Sequence, residues 1–186
     1  MDFQMLRERM VEEQLKSRDI VDPRVLQAMR DVPRHRFVPD KYQHLAYRDG
    51  PLPIGNDQTI SQPYIVALMS QLLHLSGHEV VLEIGTGSGY HTVVLCKLAA
   101  QVFSLERHAA LADQAGQLLD GLDCTNVEIH VGDGSQGLPD MAPFDAIVAS
   151  AAAPYIPGPL RGQLTDGGRL VLPVGTRDSQ WLERVW

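Results

Sequence analysis

Basic residues are scarce in this chain. Sixteen Lys and Arg stand against 23 Asp and Glu, for a formal net charge of −7 over 186 residues. No window gathers the basic residues into a stripe, and a nucleic-acid binder that works through phosphate contacts needs one. Long apolar runs are missing as well; none approaches the roughly 20 residues needed to cross a bilayer. The opening residues mix charges early (Arg7, Glu8, Arg9) and lack the apolar centre of a signal peptide. There are two cysteines, Cys96 and Cys124, too few for a disulfide framework or a metal cluster. The expectation is therefore no nucleic acid, no membrane and no metal, with cytoplasmic residence and a monomer. Internal repeats, low-complexity tracts and a convincing linker are also absent. What remains is 44% hydrophobic and 21% charged, ordinary for a globular protein, and the length suits one well-packed domain over residues 1–186.

Residues 1–62 read as N-terminal helices followed by a loop, and residues 63–186 as an α/β core. Leu6, Met10, Val11 and Leu15 recur at helical spacing. Asp22-Pro23 supplies an N-cap and a first-turn proline for a second short helix carrying Val25, Leu26 and Met29, which Pro33 stops. From His35 to Gln62 the chain is rich in Pro, Gly and polar residues. A loop that long in a compact domain is functional or disordered, and its apolar anchors Phe37, Val38, Leu52 and Ile54 favour function. Ile65, Leu68, Met69, Leu72 and Leu75 mark a helix that ends near Gly77. Strands are expected over 80–84, 102–105, 127–131, 146–149 and 169–174, with helices over 91–98, 109–119 and 160–164 between them. Strands alternating with helices imply a doubly wound, mostly parallel sheet covered on both faces.

The segment Val81-Leu82-Glu83-Ile84-Gly85-Thr86-Gly87-Ser88-Gly89-Tyr90 passes from a strand to a helix through a glycine-rich turn, where parallel sheets bind cofactors. Its Gly-x-Gly-x-Gly spacing differs from the Gly-x-Gly-x-x-Gly of dinucleotide binders. Glu83 adds a negative charge that would repel a pyrophosphate but suits a ligand with an ammonium and a sulfonium. Glu106 ends the next strand, about 20 residues beyond Gly85, where a carboxylate can accept both ribose hydroxyls of an adenosine. Asp133-Gly134 ends the strand after that, where an adenine edge would lie. Taken singly, each has a plainer reading: turn chemistry for the glycines, a solvated strand end for Glu106-Arg107, an ordinary turn for Asp133-Gly134. Their placement on one edge of the sheet favours an adenosine cofactor.

These residues resemble the cofactor motif of protein-L-isoaspartate (D-aspartate) O-methyltransferases. Further blocks are similar to that family: Leu52-Pro53-Ile54-Gly55, Gln58-Thr59-Ile60-Ser61-Gln62-Pro63-Tyr64, Ala151-Ala152-Ala153-Pro154 and 167–175. The likeness runs from about Met10 to Trp186, and the Thr-Ile-Ser-Gln-Pro block is its most specific part. The resemblance implies a Rossmann-like fold and methyl transfer from S-adenosyl-L-methionine, leaving S-adenosyl-L-homocysteine. The acceptor it implies is the free carboxylate of L-isoaspartyl, and less readily D-aspartyl, residues in proteins and peptides; the ester then closes to a succinimide whose hydrolysis returns some normal aspartate. It implies Ser61, with Thr59 beside it, as the active-site hydroxyls, and Glu83, Gly85, Thr86, Gly87, Ser88, Glu106, Asp133 and Gly134 as cofactor contacts. It also implies one more long strand between that of 169–174 and that of 180–185. With the sequence stopping at Trp186, that final strand is expected to be missing, leaving an unpaired edge.

An isoaspartyl α-carboxylate, with a pKa near roughly 3.5, is ionised at pH 7, so the chemistry needs alignment and no general base. Ser61, two residues before Pro63, also reads as a helix cap, a role compatible with holding a carboxylate. His74 and His78 lack a third partner for a metal. His91 reads as a surface or helix-start residue, and Cys96 as core. Three other functions compete: a small-molecule methyltransferase, which leaves the 59–63 block without a role; a nicotinamide oxidoreductase, which the glycine spacing disfavours; and a truncated form that binds the cofactor and turns nothing over.

Overall fold

The structure is a computed structural model and describes residues 1–176 and 179–186. Six strands form the main sheet: β3 (Val80–Ile84), β4 (Gln101–Glu106), β5 (Val127–Val131), β6 (Phe144–Ala149), β7 (Leu164–Thr176) and β8 (Ser179–Val185). Their order is β5-β4-β3-β6-β7-β8, parallel except for β8. The chain winds outward from β3 through β4 to β5, then returns to the other side of β3 with β6. The order therefore reverses between β3 and β6, and at such a switch point a crevice opens outside the carboxyl ends of the strands.

Alternation along the strands shows both faces buried. Val81, Ala146, Val148 and Val171 belong to one apolar cluster; Leu82, Ile147, Leu170 and Leu172 belong to the other. The first cluster also contains Met10, Leu15, Val25 and Met29 from the N-terminal helices α1 (Phe3–Met10), its π-type continuation Val11–Lys16, and α2 (Pro23–Asp31). Asp22 caps α2 by accepting from Arg24 N and Val25 N, with Pro23 in the first turn.

Helix α3 (Pro63–Leu72) ends earlier than Gly77, because the backbone turns left-handed already at His74 (φ 48°). Helix α4 (Tyr90–Cys96) is shorter than 91–98, while β6 and β7 are longer than expected; α5 (Ala109–Asp120) matches within a residue, and α6 is the short Gly158–Arg161 turn. The loop before α3 holds an unforeseen hairpin, β1 (Leu52–Gly55) and β2 (Gln58–Ile60), whose two-residue turn has both Asn56 (φ 49°) and Asp57 (φ 55°) left-handed. The unpaired slot expected between β7 and β8 does not exist here. The two strands are hydrogen bonded directly from Leu170↔Val185 to Thr176↔Ser179, and β8 forms the sheet edge. No helix among the described residues is long and apolar enough to cross a membrane.

Gly89 launches α4 with φ 84°, and a Cβ there would lie 3.0 Å from Leu119 Cδ1 and 3.2 Å from Ala115 Cβ of α5. Gly89→Ala should lower stability by about 2 kcal/mol, from left-handed strain together with crowding against α5. Urea unfolding without ligand measures this, and an unchanged midpoint would contradict it.

Candidate active site

The turn after β3 is folded back over the end of β4. Gly85 N–H donates to Leu105 O at 2.8 Å, and Gly87 N–H donates to Glu106 Oε2 at 2.9 Å. Glu106 Oε1 accepts from His108 N–H at 2.9 Å. Gly85 (φ 93°) and Gly87 (φ 57°) hold left-handed backbone that side chains resist. On the other side, Ser150 N–H donates to Ile84 O, and Ala153 is tied to β7 through Pro173 O and Gly175 N. The loop after β6 thus forms a fixed wall opposite Glu106.

Three adjoining cavities follow this edge. The first, about 220 Å³, lies over an apolar floor of Ile84, Leu105, Leu160 and Leu172, with Glu106 and Asp133 at its rim. The second, about 180 Å³, shares Gln58, Gly85, Glu106 and Ala151 with the first and reaches Thr59 and Ser61. The third, about 40 Å³, runs from Thr59 and Ser61 to Ser88, Tyr90 and His91. The β1–β2 hairpin roofs this run, because Ile54 Cδ1 lies 3.5 Å from the position of a Cβ on Gly87. Thr59 is exposed on β2, and Ser61 is half-buried just beyond it.

Several expected residues take other roles. Glu83 carries no charge at a mouth; it is fully buried beneath the turn and borders none of the three cavities. Its Oε2 accepts from Thr92 Oγ1 and from Ser104 Oγ, each at 2.6 Å, while Oε1 has no hydrogen-bond partner. Thr86 reaches the third cavity wall, but its hydroxyl turns inward to Ser104 Oγ at 2.6 Å. Asp133 does cap a turn, accepting from Ser135 N–H at 2.9 Å, while also facing the first cavity. Gly134 lines the same cavity, and a Cβ there would collide with Ile84. Ser61 does not cap α3: the N-cap is Gln62, and no side chain bonds there. His91 is buried, not a surface residue, and its Nε2 meets Ser70 Oγ at 3.0 Å. Cys96 is only half-buried and donates to Asn126 Oδ1. Sequence reasoning missed Asp57, Gln58 and Ser150 in the cavity wall; the Gly55-Asn56-Asp57 run, a turn signal, could have revealed the first two.

Over residues 5–186 the chain matches the sequence profile described as Protein-L-isoaspartate(D-aspartate) O-methyltransferase (PCMT). It belongs to that family. Protein-L-isoaspartate O-methyltransferase 1 of Syntrophobacter fumaroxidans is 58% identical over 184 residues, covering 99% of this chain and 86% of the relative. A solved structure of a protein-L-isoaspartate O-methyltransferase superposes with a TM-score of 0.84 at 28% identity, over 96% of this chain and 58% of the other. A Plasmodium falciparum protein assigned to the same activity, crystallised with S-adenosyl-L-homocysteine, gives 0.82 at 25% identity, over 98% of this chain and 88% of the other. In this PCMT family member the sheet edge carrying Gly85 and Glu106 and the Thr59–Ser61 loop line the same cavity.

Burial pushes the Glu83 carboxyl up to about 7, against the pull of its Ser104 and Thr92 donors, and burial pushes the His91 imidazole down to about 4. Ser70 Oγ donates to Val66 O, so His91 Nε2 must be the donor to Ser70, which leaves the Nδ1 lone pair facing Glu83 Oε1 at 4.0 Å. A protonated Glu83 suits that lone pair. The stability this contributes is complete below the unfolded carboxyl value of 4.5 and is lost as pH rises through about 7. His91 slopes the other way, losing stability as pH falls from 6.5 through about 4. Glu83→Gln removes the first dependence and keeps the second. Compared with the unaltered chain it should gain stability between about pH 5 and pH 8, by up to about 3 kcal/mol. Urea unfolding across that range decides, and a pH-independent difference would mean Glu83 is ionised in the folded chain.

Proposed function

We propose that this chain transfers the methyl group of S-adenosylmethionine to the free carboxylate of L-isoaspartyl, and D-aspartyl, residues in damaged proteins and peptides, and so starts their repair. The observation that carries this reading is the recess that has Glu106 and Gly85 on one wall and Thr59 and Ser61 on the other. Family membership supplies the reaction class; the recess supplies a place where donor and acceptor meet.

The residues fit the cofactor. Glu106 already accepts from two backbone amides through Oε2 and Oε1, which fixes the carboxylate and leaves further lone pairs for ribose hydroxyls. Asp133 borders the first cavity beside its apolar floor, and its carboxylate would accept from an adenine amino group held there. The amide of Gly87 is bound to Glu106, so it is not free to cradle a phosphate, and two carboxylates at the rim repel one. This donor set disfavours a nicotinamide dinucleotide on physical grounds. S-adenosylmethionine, when bound, supplies an electrophilic methyl group on a sulfonium.

The chain's own task is placement. The acceptor carboxylate arrives ionised, so no side chain need remove a proton. Ser61 and Thr59 present neutral hydroxyls, which hold a carboxylate by hydrogen bonds without the strong ion pair that would quench its nucleophilicity. Ser88 and the walls at Ser150 and Ala151 narrow the recess and limit water. Orientation of this kind is worth several powers of ten in rate. A small-molecule acceptor on the same fold would leave the exposed Thr59 edge without a role. The net charge of −7 and the lack of a basic stripe favour a partner other than nucleic acid, and we place the enzyme in the cytoplasm as a monomer.

Labelled methyl transfer from S-adenosylmethionine to an isoaspartyl peptide, with its normal aspartyl twin as control, is the test. Base-labile label should appear on the first alone; label on neither sinks the reading. Ser61→Ala should lower kcat about tenfold or more with cofactor affinity within about twofold, as when one oriented donor is removed. Glu106→Ala should instead weaken S-adenosyl-L-homocysteine binding about tenfold or more, about 1.4 kcal/mol, in a calorimetric titration. Equal losses of both quantities in both variants would contradict that division.

A further inference from the structure

Among the described residues Arg34 is the most deeply buried cation, with no exposed surface, and no ion pair involves it. A buried guanidinium without a carboxylate is costly unless its donors are otherwise satisfied. Here the satisfaction is uneven. Nε donates to Ala46 O at 2.8 Å, Nη2 donates to Ser61 O at 2.7 Å, and Nη1 has no partner. Its Cζ lies 4.8 Å from the ring centroid of Tyr90, the first residue of α4 after the glycine turn.

These contacts have a topological meaning. Ala46 and Ser61 are the two ends of the segment 47–60, which carries the β1–β2 hairpin and Thr59. A single planar fork therefore closes the loop at its base and, through Tyr90, seats that base against the cofactor turn. Other ties on the segment include Gln14 Nε2 to Tyr47 O, His35 Nδ1 with Tyr47 Oη at 2.8 Å, the pair of Arg18 with Asp49 at 3.0 Å, a long contact from Gln62 to Asp49, and the burial of Tyr47 and Ile60 in the main core. The Arg18–Asp49 pair is partly exposed, and such pairs hold little. A carboxylate beside Arg34 would satisfy it better but would also put a negative charge next to Ser61, where an anionic acceptor must settle.

We propose that Arg34 is the positioning residue of the acceptor loop: its guanidinium staples Ala46 O and Ser61 O together and so fixes Ser61 against the glycine turn. The inference rests on the acceptor role proposed above for the Thr59–Ser61 loop. Arg34 touches neither the acceptor nor the cofactor; it acts through the backbone of Ser61. Carbonyl partners leave its positive charge without a directly bonded counter-ion behind the loop, a field of the sign that favours a carboxylate.

Arg34→Lys tests this most directly, because an ammonium keeps the buried charge and lacks the rigid fork that spans two carbonyls. Arg34→Met removes both. In each variant, hydrogen exchange across residues 47–60 should speed up tenfold or more, with the main sheet unchanged. Methyl transfer to an isoaspartyl peptide should lose tenfold or more in kcat/KM, and S-adenosyl-L-homocysteine affinity should stay within about twofold. A merely structural arginine would lower cofactor affinity and sheet protection along with activity; that pattern overturns the proposal, as does unchanged exchange in 47–60. If neither variant folds, the unaltered chain decides by NMR: the Arg34 side-chain N–H groups should be protected and scalar-coupled to the Ala46 and Ser61 carbonyls, and their absence refutes the staple. If the unaltered chain methylates no isoaspartyl peptide, the functional reading falls while the exchange measurement still judges the staple.

Discussion

One hydrogen bond organises the site: the amide of Gly87 donating to the carboxylate at the end of the neighbouring strand, Glu106. Together with the bond from Gly85 N–H to Leu105 O, it makes β4 the template on which the turn after β3 is bent. That bend requires left-handed backbone at Gly85, Gly87 and Gly89, which explains three glycines in five residues. It also sets the ligand chemistry. In dinucleotide-binding folds the turn's amides are left for a pyrophosphate; here one is spent on a carboxylate, whose remaining lone pairs face the recess. On the reading proposed above, the same residue that shapes the turn also disfavours a phosphate there.

Glu83 and Glu106 lie on adjacent strands near the same edge and show how burial separates identical chemistry. Glu106 borders the recess and is held by backbone amides. Glu83 points beneath the turn, where burial pushes its carboxyl up to about 7 and the hydroxyls of Thr92, Ser104 and, through Ser104, Thr86 surround it. The network joins β3, β4 and the first turns of α4, so it stiffens the support of the glycine turn from below.

Much of this was legible in the sequence because the core of the fold obeys local rules. The central strands β3 and β6 are buried, largely apolar runs with clear ends, and Asp22-Pro23 is a cap whose geometry the structure realises. The glycine turn and the strand-end acids were found because spacing alone places them on one sheet edge. Legibility failed where a side chain's direction depends on tertiary packing. Glu83 and Thr86 face inward, which no spacing reveals, since the alternation of β3 is broken at the turn. The hairpin hid behind Pro53, a residue that argues against a strand, although Asn56-Asp57 suits the doubly left-handed turn observed. The end of α3 was misplaced because Gly77 is the stronger stop signal, yet the chain turns at His74. Arg34 was invisible: between Pro33 and His35-Arg36 it reads as one of several surface cations, and burial alone distinguishes it.

The division of labour between the two parts of the chain follows from the chemistry proposed for it. A carboxylate that arrives ionised asks for no base, and the buried acid and imidazole beneath the glycine turn, Glu83 and His91, are locked into structural contacts with Thr92, Ser104 and Ser70. What remains for the protein to supply is distance and direction between two ligands. The sheet edge provides one fixed half, since Gly85, Glu106 and Ser150 are all bound to neighbouring strands. The other half lies on a loop with two short strands, anchored in the main core by Tyr47 and Ile60 and needing further support. The N-terminal residues provide it: Gln14, Arg18 and Arg34 each reach across to the segment of 46–61. The helical extension therefore does for the acceptor what the parallel sheet does for the cofactor. A common nucleoside-binding core acquires its particular acceptor through a loop held in place by residues remote in sequence from both motifs.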